Sequence, residues 1–265
     1  MNKTLKHKKF VEKNIKNISK NKNFLRNSSN WLKQANKLNY TYNFNWLSRP
    51  IIQLPTDLYA LQEIIWKVKP DLIIETGVAH GGSIIHSASF LAILNYIDIL
   101  NNKKKVKRKV IGIDIDIRKH NKLEIQKHPL YNLIELKIGS SVDKKMIKNV
   151  YKIAKNFKKI IVILDSNHSH DHVYKELLAY SKLVNRGSYC IVWDAGIEDY
   201  SKNFKFNRPW GKGDNPRTAV HQFLKDTKKE KLNDINGKKL NFEIDKKIDN
   251  KIVITSSGDG FLLRK

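Results

Sequence analysis

The sequence of 265 residues contains one cysteine, Cys190, and no apolar run that is long enough to cross a membrane. A single cysteine excludes an intrachain disulfide, and its place in the apolar segment 189–193 predicts a small core residue. The polar, lysine-rich N-terminus also lacks the apolar segment of a signal peptide. These absences predict a cytoplasmic protein with no transmembrane segment.

Arginine is scarce among the 51 basic residues, although the net charge is +26. Proteins that read nucleic acid use arginine for bidentate contacts and aromatic rings for stacking. Here the lysines are scattered over surface-like positions and are not interleaved with aromatic residues. The abundance of Lys, Asn and Ile is also typical of AT-rich codon usage. The composition therefore argues against nucleic acid as a partner.

Both common glycine-rich nucleotide motifs are missing from residues 71–83, where an apolar strand leads through a turn into a helix. The strand ends in Glu75, and the turn contains Gly77, Gly81 and Gly82. This spacing fits neither the dinucleotide fingerprint nor a P-loop. A carboxylate before the first glycine suits a cationic or hydroxyl-rich ligand, and S-adenosylmethionine (SAM) is such a ligand. An ordinary strand–helix turn remains the alternative.

Strands and helices alternate along the chain after this turn, which predicts a doubly wound, mostly parallel, Rossmann-like α/β sheet. The helix after the turn is expected to start near Ser83 and to direct its free N–H groups at the ligand. Further strands are predicted at 109–114, 132–136, 160–165 and 188–194. Helices are predicted at 56–67 with Thr56 as N-cap, and at 119–127, 143–154, 170–183 and 216–228.

The two ends of the chain differ from this alternation. Residues 241–244, 251–255 and 260–264 predict two or three consecutive strands, and so an antiparallel strand at one sheet edge. Residues 1–37 predict one or two basic helices that form an oligomer contact or a basic arm, with a frayed tail as the alternative. We divide the chain into an N-terminal helical and aromatic extension, 1–55, and a Rossmann-like domain, 56–265.

Polar residues follow each predicted strand at the edge where open α/β sheets bind ligands. Asp114 ends the second strand of the sheet, where a carboxylate accepts hydrogen bonds from a ribose, and Ser140 follows the third and would flank an adenine. Asp165 ends the fourth strand and could bind a hard cation, while His168 or His170 could act as a general base. Asp194 ends the fifth strand. Adjacent carboxylates repel unless a cation or a proton lies between them, which favours a metal.

Taken together, these stretches resemble the cephalosporin-hydroxylase family, which has the class I SAM-dependent methyltransferase fold and includes sugar O-methyltransferases. The resemblance covers residues from about 40 to the end. It rests on Trp46-Leu47-x-Arg49-Pro50-Ile-Ile-Gln53, Pro70-Asp71-Leu-Ile-Ile-Glu75-Thr-Gly77-x-Ala79-x-Gly81-Gly82-Ser83, Gly112-Ile-Asp114, Leu164-Asp165-Ser166-x-His168 and Asn215-Pro216-x-Thr218-Ala219-Val220.

The resemblance implies that SAM is bound by Glu75, Gly77, Ala79 and Ser83, with Asp114 on its ribose. It also implies that Mg²⁺ is held by Asp165 and by a Glu-Asp pair at the end of the next strand. This chain departs from the family there, because Trp193 occupies the Glu position and only Asp194 of the pair remains. A third ligand would then come from Glu198 or Asp199.

The expected reaction is SAM-dependent O-methyl transfer to a hydroxyl of a sugar or glycan-related small molecule. His168 is the expected base, and Asp165 and Asp194 would orient the acceptor directly or through Mg²⁺. The loop 195–214 would close over the acceptor. An RNA methyltransferase and a noncatalytic SAM- or nucleotide-binding protein with a basic arm are the alternatives.

Overall fold

Parallel strands form the centre of the protein, whose computed structural model describes residues 3–104, 106–201, 208–230 and 232–265. The strands in chain order are β1 (Phe44–Trp46), β2 (Arg49–Ile51), β3 (Leu72–Thr76), β4 (Lys109–Asp114), β5 (Ile134–Ile138), β6 (Ile160–Leu164), β7 (Tyr189–Val192), β8 (Phe242–Ile244) and β9 (Phe261–Arg264). The helices are α1 (Lys3–Lys20), α2 (Lys22–Lys37), α3 (Pro55–Val68), α4 (Gly82–Leu100), α5 (Lys119–Lys127), α6 (Lys144–Ala154), α7 (His170–Tyr180), α8 (Pro216–Lys229) and α9 (Lys246–Ile252).

Seven of these strands form one sheet in the order β5-β4-β3-β6-β7-β9-β8, and β1 and β2 form a separate antiparallel hairpin. The five strands β5, β4, β3, β6 and β7 are parallel to one another, while β9 is antiparallel to both of its neighbours. The chain moves outward from β3 to β5 and then returns to place β6 on the other side of β3. The carboxyl ends of β3 and β6 therefore flank the switch point at which open α/β sheets bind ligands.

Both faces of the sheet are covered, which explains why its central strands read as unbroken apolar runs. All five residues of β3 and all five of β6 are buried. On one face the sheet packs against α3, α4 and Ile125 of α5. On the other it packs against α6, α7 and α8. The predicted α/β fold with an antiparallel strand at one edge is confirmed.

Several predicted boundaries agree closely with the structure, and a few are wrong. Strand β4 and helix α5 have the predicted ends, whereas the strand predicted at 132–136 begins two residues later, at Ile134. Thr56 does not cap α3. Leu54 is the N-cap and Pro55 occupies the first turn, where its missing N–H costs nothing. The Thr56 hydroxyl instead donates to the Ile254 carbonyl.

The predicted strand 251–255 is also wrong, because its first residues end α9. The Asp245 side chain accepts a hydrogen bond from the Lys247 N–H, which caps this helix. Its last residue is Ile252, and Val253 follows with a φ of 58°. Local capping and packing therefore override the strand preference of the β-branched residues.

The N-terminal residues form two helices, so the helical alternative is the one found. Helix α1 packs against α9. Helix α2 is joined to the segment after β7 by a hydrogen bond from the Asn36 amide to the Tyr200 hydroxyl. The predicted division of the chain at residue 55 stays a prediction.

Within the described residues, α4 is the one helix that is long and apolar enough to cross a membrane. Its buried residues, which include Ile84, Ile85 and Leu91, pack in the core beside the sheet. Cys190 lies in the middle of β7 with 0% of its surface exposed. Burial raises the pKa of its thiol, as expected for the predicted core residue.

Candidate active site

The turn after β3 holds its backbone against the neighbouring strand end. Gly77 has a φ of +86°, and a Cβ placed on it would lie 2.0 Å from the carbonyl oxygen of Asp165. Gly81 has a φ of +87° and serves as the N-cap of α4. Ala79 has a φ of 45°, a left-handed conformation that is uncommon for a residue with a Cβ. Strained turns of this kind cluster at ligand sites.

Glu75 has no exposed surface, and neither carboxylate oxygen has a hydrogen-bond partner among the described residues. Burial raises its pKa to about 7, an effect that the nearby hydroxyls of Ser83 and Ser87 oppose. An unpaired buried carboxylate is costly, and a cation or a donor group beside it would remove this cost. Glu75 is therefore the strongest sign that this turn is a ligand site.

Asp114 lies beside the same turn, and in this structure its carboxylate binds the protein backbone. Its Oδ2 accepts hydrogen bonds from the N–H groups of Val78, at 2.8 Å, and Ala79, at 3.3 Å. Its Oδ1 accepts one from the N–H of Asp116. A carboxylate has about four acceptor sites, so Asp114 keeps room for a ribose hydroxyl while it shapes the turn.

Residues 49–54, which we call the strap, cross over the turn. The Arg49 guanidinium donates to the His80 carbonyl at 2.6 Å and to the Asn121 side chain at 3.1 Å. The carbonyl of Pro50 would lie 2.3 Å from a Cβ placed on Gly82. Between strap and turn the structure leaves a cavity of about 40 Å³. Ligand pockets are usually about 300–1,000 Å³, so the strap largely covers this site.

The ends of β6 and β7 bring Asp165, His168 and Asp194 together, with one candidate ligand atom from each lying within 4.8 Å of the others. Nε2 of His168 lies 3.1 Å from Oδ2 of Asp194. Asp165 accepts a hydrogen bond from the Gln53 amide of the strap at 3.1 Å. Burial and then the charges of Asp194 and Glu75 raise the pKa of Asp165 well above its usual range. This accumulation of negative charge favours a cation or a proton at the cluster.

Glu198 and Asp199 lie outside this cluster and have other partners, and the prediction that one of them supplies a third ligand stays a prediction. Glu198 accepts a hydrogen bond from the Gly213 N–H at 2.8 Å. Burial raises the pKa of Glu198, but donors from Gly213 and Asn215 outweigh it and hold that pKa below its ordinary value. Asp199 forms a bidentate pair with Arg217 at 2.6 and 2.7 Å. His168 is the third residue of the cluster that the structure describes.

Trp193, at the position where the resemblance implied a carboxylate, belongs to the core. It is 1% exposed, and its ring packs edge-on against Phe261 with 5.7 Å between the centroids. Asp194 follows with a φ of 56°, a conformation that aspartate tolerates better than most residues. The strand end thus turns one side chain into the core and the next toward His168.

The predicted lid, 195–214, is described only in part, because residues 202–207 lie outside the described residues. Its first part is a 3-10 helix, Ala195–Asp199. In its last part the Trp210 ring contacts His168 edge-on, with 5.0 Å between the ring centroids. Closure of this segment over an acceptor stays a prediction.

The other candidate residues lie around this cluster. His170 begins α7, and its ring bonds to the side chains of Thr218 and Gln222, away from His168. Ser140 lies in the turn after β5 and accepts the Asp143 N–H through its carbonyl. The neighbouring Ser141 hydroxyl bonds instead to His172, which also contacts Ser166 and the buried Glu176.

Two buried groups that support the site were not predicted from the sequence. Gln53 reaches Asp165 from the strap, although the motif that carries the family resemblance already contained it. Asp57 is fully buried, and it accepts hydrogen bonds from the hydroxyls of Thr255 and Ser256 and from the Ser256 N–H. Burial raises the pKa of Asp57 to about 7. The Ser256 carbonyl in turn accepts the Gly196 N–H, which links Asp57 to the segment after Asp194.

Comparison with known proteins gives matches that cover most of this chain. Residues 38–265 match the family described as Rhamnosyl O-methyltransferase/CmcI. A Rhamnosyl O-methyltransferase of Mycobacterium bovis is 26% identical over 212 residues, which are 79% of this chain and 73% of that protein. Another from Mycobacterium leprae is 24% identical over 230 residues, 86% of each chain.

Among solved structures, a CmcI complex with Mg and SAM superposes with a TM-score of 0.52 at 18% identity, over 84% of this chain and 77% of that chain. This likeness concerns the fold. The matches confirm the predicted methyltransferase fold and the predicted class of enzyme, an O-methyltransferase. The resemblance seen in the sequence is thereby explained: this chain belongs to the Rhamnosyl O-methyltransferase/CmcI family.

Proposed function

We propose that this protein transfers a methyl group from SAM to a hydroxyl of a rhamnosyl or related sugar, and that it does so in the cytoplasm. The observation that carries this proposal is the His168–Asp194 pair, placed beside Asp165 at the switch point of the sheet. The sugar acceptor is supported by the names of the related Mycobacterium proteins.

The residues at the turn fit SAM. When bound, SAM supplies an electrophilic methyl group on a positively charged sulfur. Glu75 offers two buried carboxylate oxygens without partners, which suit the cationic end of the cofactor. Gly77 and Gly81 let the backbone approach a ligand closely. The first turn of α4, which contains Ser83, offers free N–H groups. Asp114 lies beside the turn, where it could accept hydrogen bonds from the ribose. The cavity between strap and turn is only about 40 Å³, and we expect the strap to shift when the cofactor binds.

The residues at the second cluster fit a divalent cation. Asp165 and Asp194 supply carboxylate oxygens, which Mg²⁺ prefers, and His168 beside them stays free to act as the base. A bound cation would polarise the acceptor hydroxyl and offset the charge on the two carboxylates. A water-rich coordination shell is usual for Mg²⁺, so two protein carboxylates are a sufficient anchor.

His168 removes the proton of the acceptor hydroxyl. Its Nε2 donates a hydrogen bond to Asp194, which leaves Nδ1 as the basic nitrogen. With SAM bound, Nδ1 would accept this proton as the acceptor oxygen took the methyl group and the carbon–sulfur bond broke. Asp194 stabilises the imidazolium that results. The Trp210 ring covers one edge of His168 and helps to exclude water.

The direct test is an assay of the purified chain with SAM and three acceptor classes. These are rhamnosyl glycosides, nucleotide-linked rhamnose and bulk RNA, with products analysed by mass spectrometry for an added methyl group. We expect methylation of at least one sugar class and none of RNA. Binding of S-adenosylhomocysteine (SAH) by calorimetry shows in parallel whether the cofactor site is intact. SAH binding without methylation of any sugar would favour the noncatalytic alternative, and salt-sensitive turnover on RNA would favour an RNA methyltransferase.

A further inference from the structure

We propose that the groove between α6 and α7 docks an acidic amphipathic helix of a partner protein. This groove has a volume of about 840 Å³ and lies on the outer surface of the helices that cover one face of the sheet. It contains none of the residues of the candidate active site. The proposal therefore stands apart from the catalytic function.

Lysines border the groove on both sides, and no acidic residue lines it. Those on the α6 side follow one another at intervals of four, four and three residues, which places them along one face of the helix. The α7 side contributes two more, seven positions apart. The six are Lys144, Lys148, Lys152, Lys155, Lys175 and Lys182.

Between these lysines the groove is apolar. Ile147 and Tyr151 of α6 face Leu178 and Ala179 of α7 across it. The Tyr151 hydroxyl donates to the Ala179 carbonyl at 2.5 Å, which ties the two helices together at this level. The surface is thus an apolar stripe, held between two elements and flanked by positive charge.

The spacing of the charges favours a helix as the occupant. Lysines four residues apart on α6 lie about 6 Å apart along its axis, since each residue advances the helix by about 1.5 Å. In a second helix that lies along the groove, side chains four residues apart have the same axial spacing. Glutamates on both sides of its apolar face can therefore pair with successive lysines.

Other occupants match fewer of these features. A single lipid brings its charge at one end and leaves most of the lysines unmatched. Nucleic acid brings phosphates along the whole groove but no apolar side chains for the stripe. A second copy of this chain carries the same net charge of +26. No helix within the described residues carries more than two carboxylates, so a second copy offers no counterpart to six lysines.

The test uses the full chain and a synthetic fluorescein-labelled peptide of about three heptads, with leucine at the a and d positions and glutamate beside them. Binding is measured by fluorescence anisotropy at low and high salt. The first control peptide has the same composition in shuffled order, so that it keeps the charge and loses the amphipathic face. We expect saturable binding of the helical peptide, and weaker binding of the shuffled one.

Variants then locate the site. The double variant Lys148→Gln/Lys152→Gln should weaken binding about tenfold, since two exposed charges facing the peptide are lost. Its matched control, Lys13→Gln/Lys16→Gln on α1, removes the same charge from exposed positions outside the groove and should leave binding unchanged. Leu178→Gln should also weaken binding, with circular dichroism to verify folding. Because both lysines are exposed, the double variant decides the result even if Leu178→Gln unfolds.

Three results would overturn the proposal. The shuffled peptide could bind as tightly as the helical one, or the α1 control could weaken binding as much as the groove variant. In either case general surface charge explains the affinity. Finally, vesicles containing phosphatidylglycerol, or poly(U) RNA, could displace the peptide and lose their own binding in the groove variant. The occupant would then be a lipid surface or a nucleic acid.

Discussion

Nε2 of His168 lies 3.1 Å from Oδ2 of Asp194, although the two side chains come from segments that follow different strands. Strands β6 and β7 are parallel neighbours, so the residues that follow them meet at one edge of the sheet. The carboxylate orients the imidazole and selects which of its nitrogens carries the proton. This pairing gives the base an orienting partner that no single motif in the sequence contains.

Replacing His168 with Ala should lower turnover by about 10²- to 10⁴-fold, because the acceptor loses its general base. SAH affinity, measured by calorimetry, should stay close to that of the unaltered protein, since the cofactor turn is intact. His221→Ala is the matched control, because His221 also pairs with a carboxylate, Asp259, but lies outside the site. Full turnover in the His168 variant would exclude this residue as the base.

Gly77→Ala should abolish SAH binding and lower the melting temperature. The new Cβ would be 2.0 Å from the Asp165 carbonyl oxygen, so strand end and turn must separate. Gly187→Ala is the control. Gly187 has a similar φ of +79° but nothing within 4 Å of a Cβ, so it pays only the conformational cost of about 1–2 kcal/mol. Equal effects of both variants on melting and binding would show that the contact at Gly77 is unimportant.

Glu75→Gln should make the unliganded protein more stable at neutral pH and flatten its dependence on pH. Burial raises the pKa of Glu75 to about 7 from an ordinary value of 4.5. Between these values the folded state binds a proton that the unfolded state has released, so stability falls as pH rises and levels off above about 7. The full effect of this residue is about 3 kcal/mol.

Chemical denaturation at several pH values between 4 and 8 measures this effect. Glutamine has no proton to release, so the contribution of Glu75 to the pH dependence of the unfolding free energy should disappear. Asp57, whose pKa is also raised to about 7, should keep its own contribution. SAH affinity should fall in the same variant if Glu75 binds the ammonium group, which is the positive charge that SAH shares with SAM. A variant with an unchanged pH dependence and unchanged affinity would remove Glu75 from the site.

Divalent cations should stabilise the protein through Asp165. Titration with MgCl₂ and with MnCl₂ in the presence of SAH should raise the melting temperature, and Asp165→Asn should abolish this rise. Mn²⁺ should replace Mg²⁺ in this effect, since carboxylate and water ligands suit both ions. The control Asp199→Asn removes a nearby carboxylate that is paired with Arg217 and should respond to metal normally. A metal response that survives in Asp165→Asn would place the cation elsewhere.

Much of the fold could be predicted from the sequence because, in its central strands and helices, the apolar pattern and the capping residues indicate the same element that the fold contains. Strand β4 and helix α5 begin and end where their apolar pattern predicts, and Asn215 with Pro216 marks the start of α8 through a cap and a proline in the first turn. The positions of Glu75, Asp114, Asp165 and Asp194 followed from one rule, that side chains after parallel strands meet at one edge.

What could not be predicted depends on contacts between distant segments. Gln53 meets Asp165, and Asp57 binds Thr255 and Ser256, because the strap and the chain end pack against the same edge of the sheet. No local pattern encodes these pairings. Glu198 and Asp199 lie outside the cluster for the same reason: each has a partner that only the fold brings near, Asn215 in one case and Arg217 in the other.

The burial of Cys190 has a practical consequence for spectroscopy. This thiol is the only one in the chain, it has no exposed surface, and its raised pKa keeps it from reacting as a thiolate. A cysteine introduced at an exposed position, for example Lys148→Cys beside the groove, would therefore take up a maleimide dye or a spin label selectively, with no need to remove a native residue first. Distances measured between pairs of such labels would report movement of the strap and binding of the partner helix in solution.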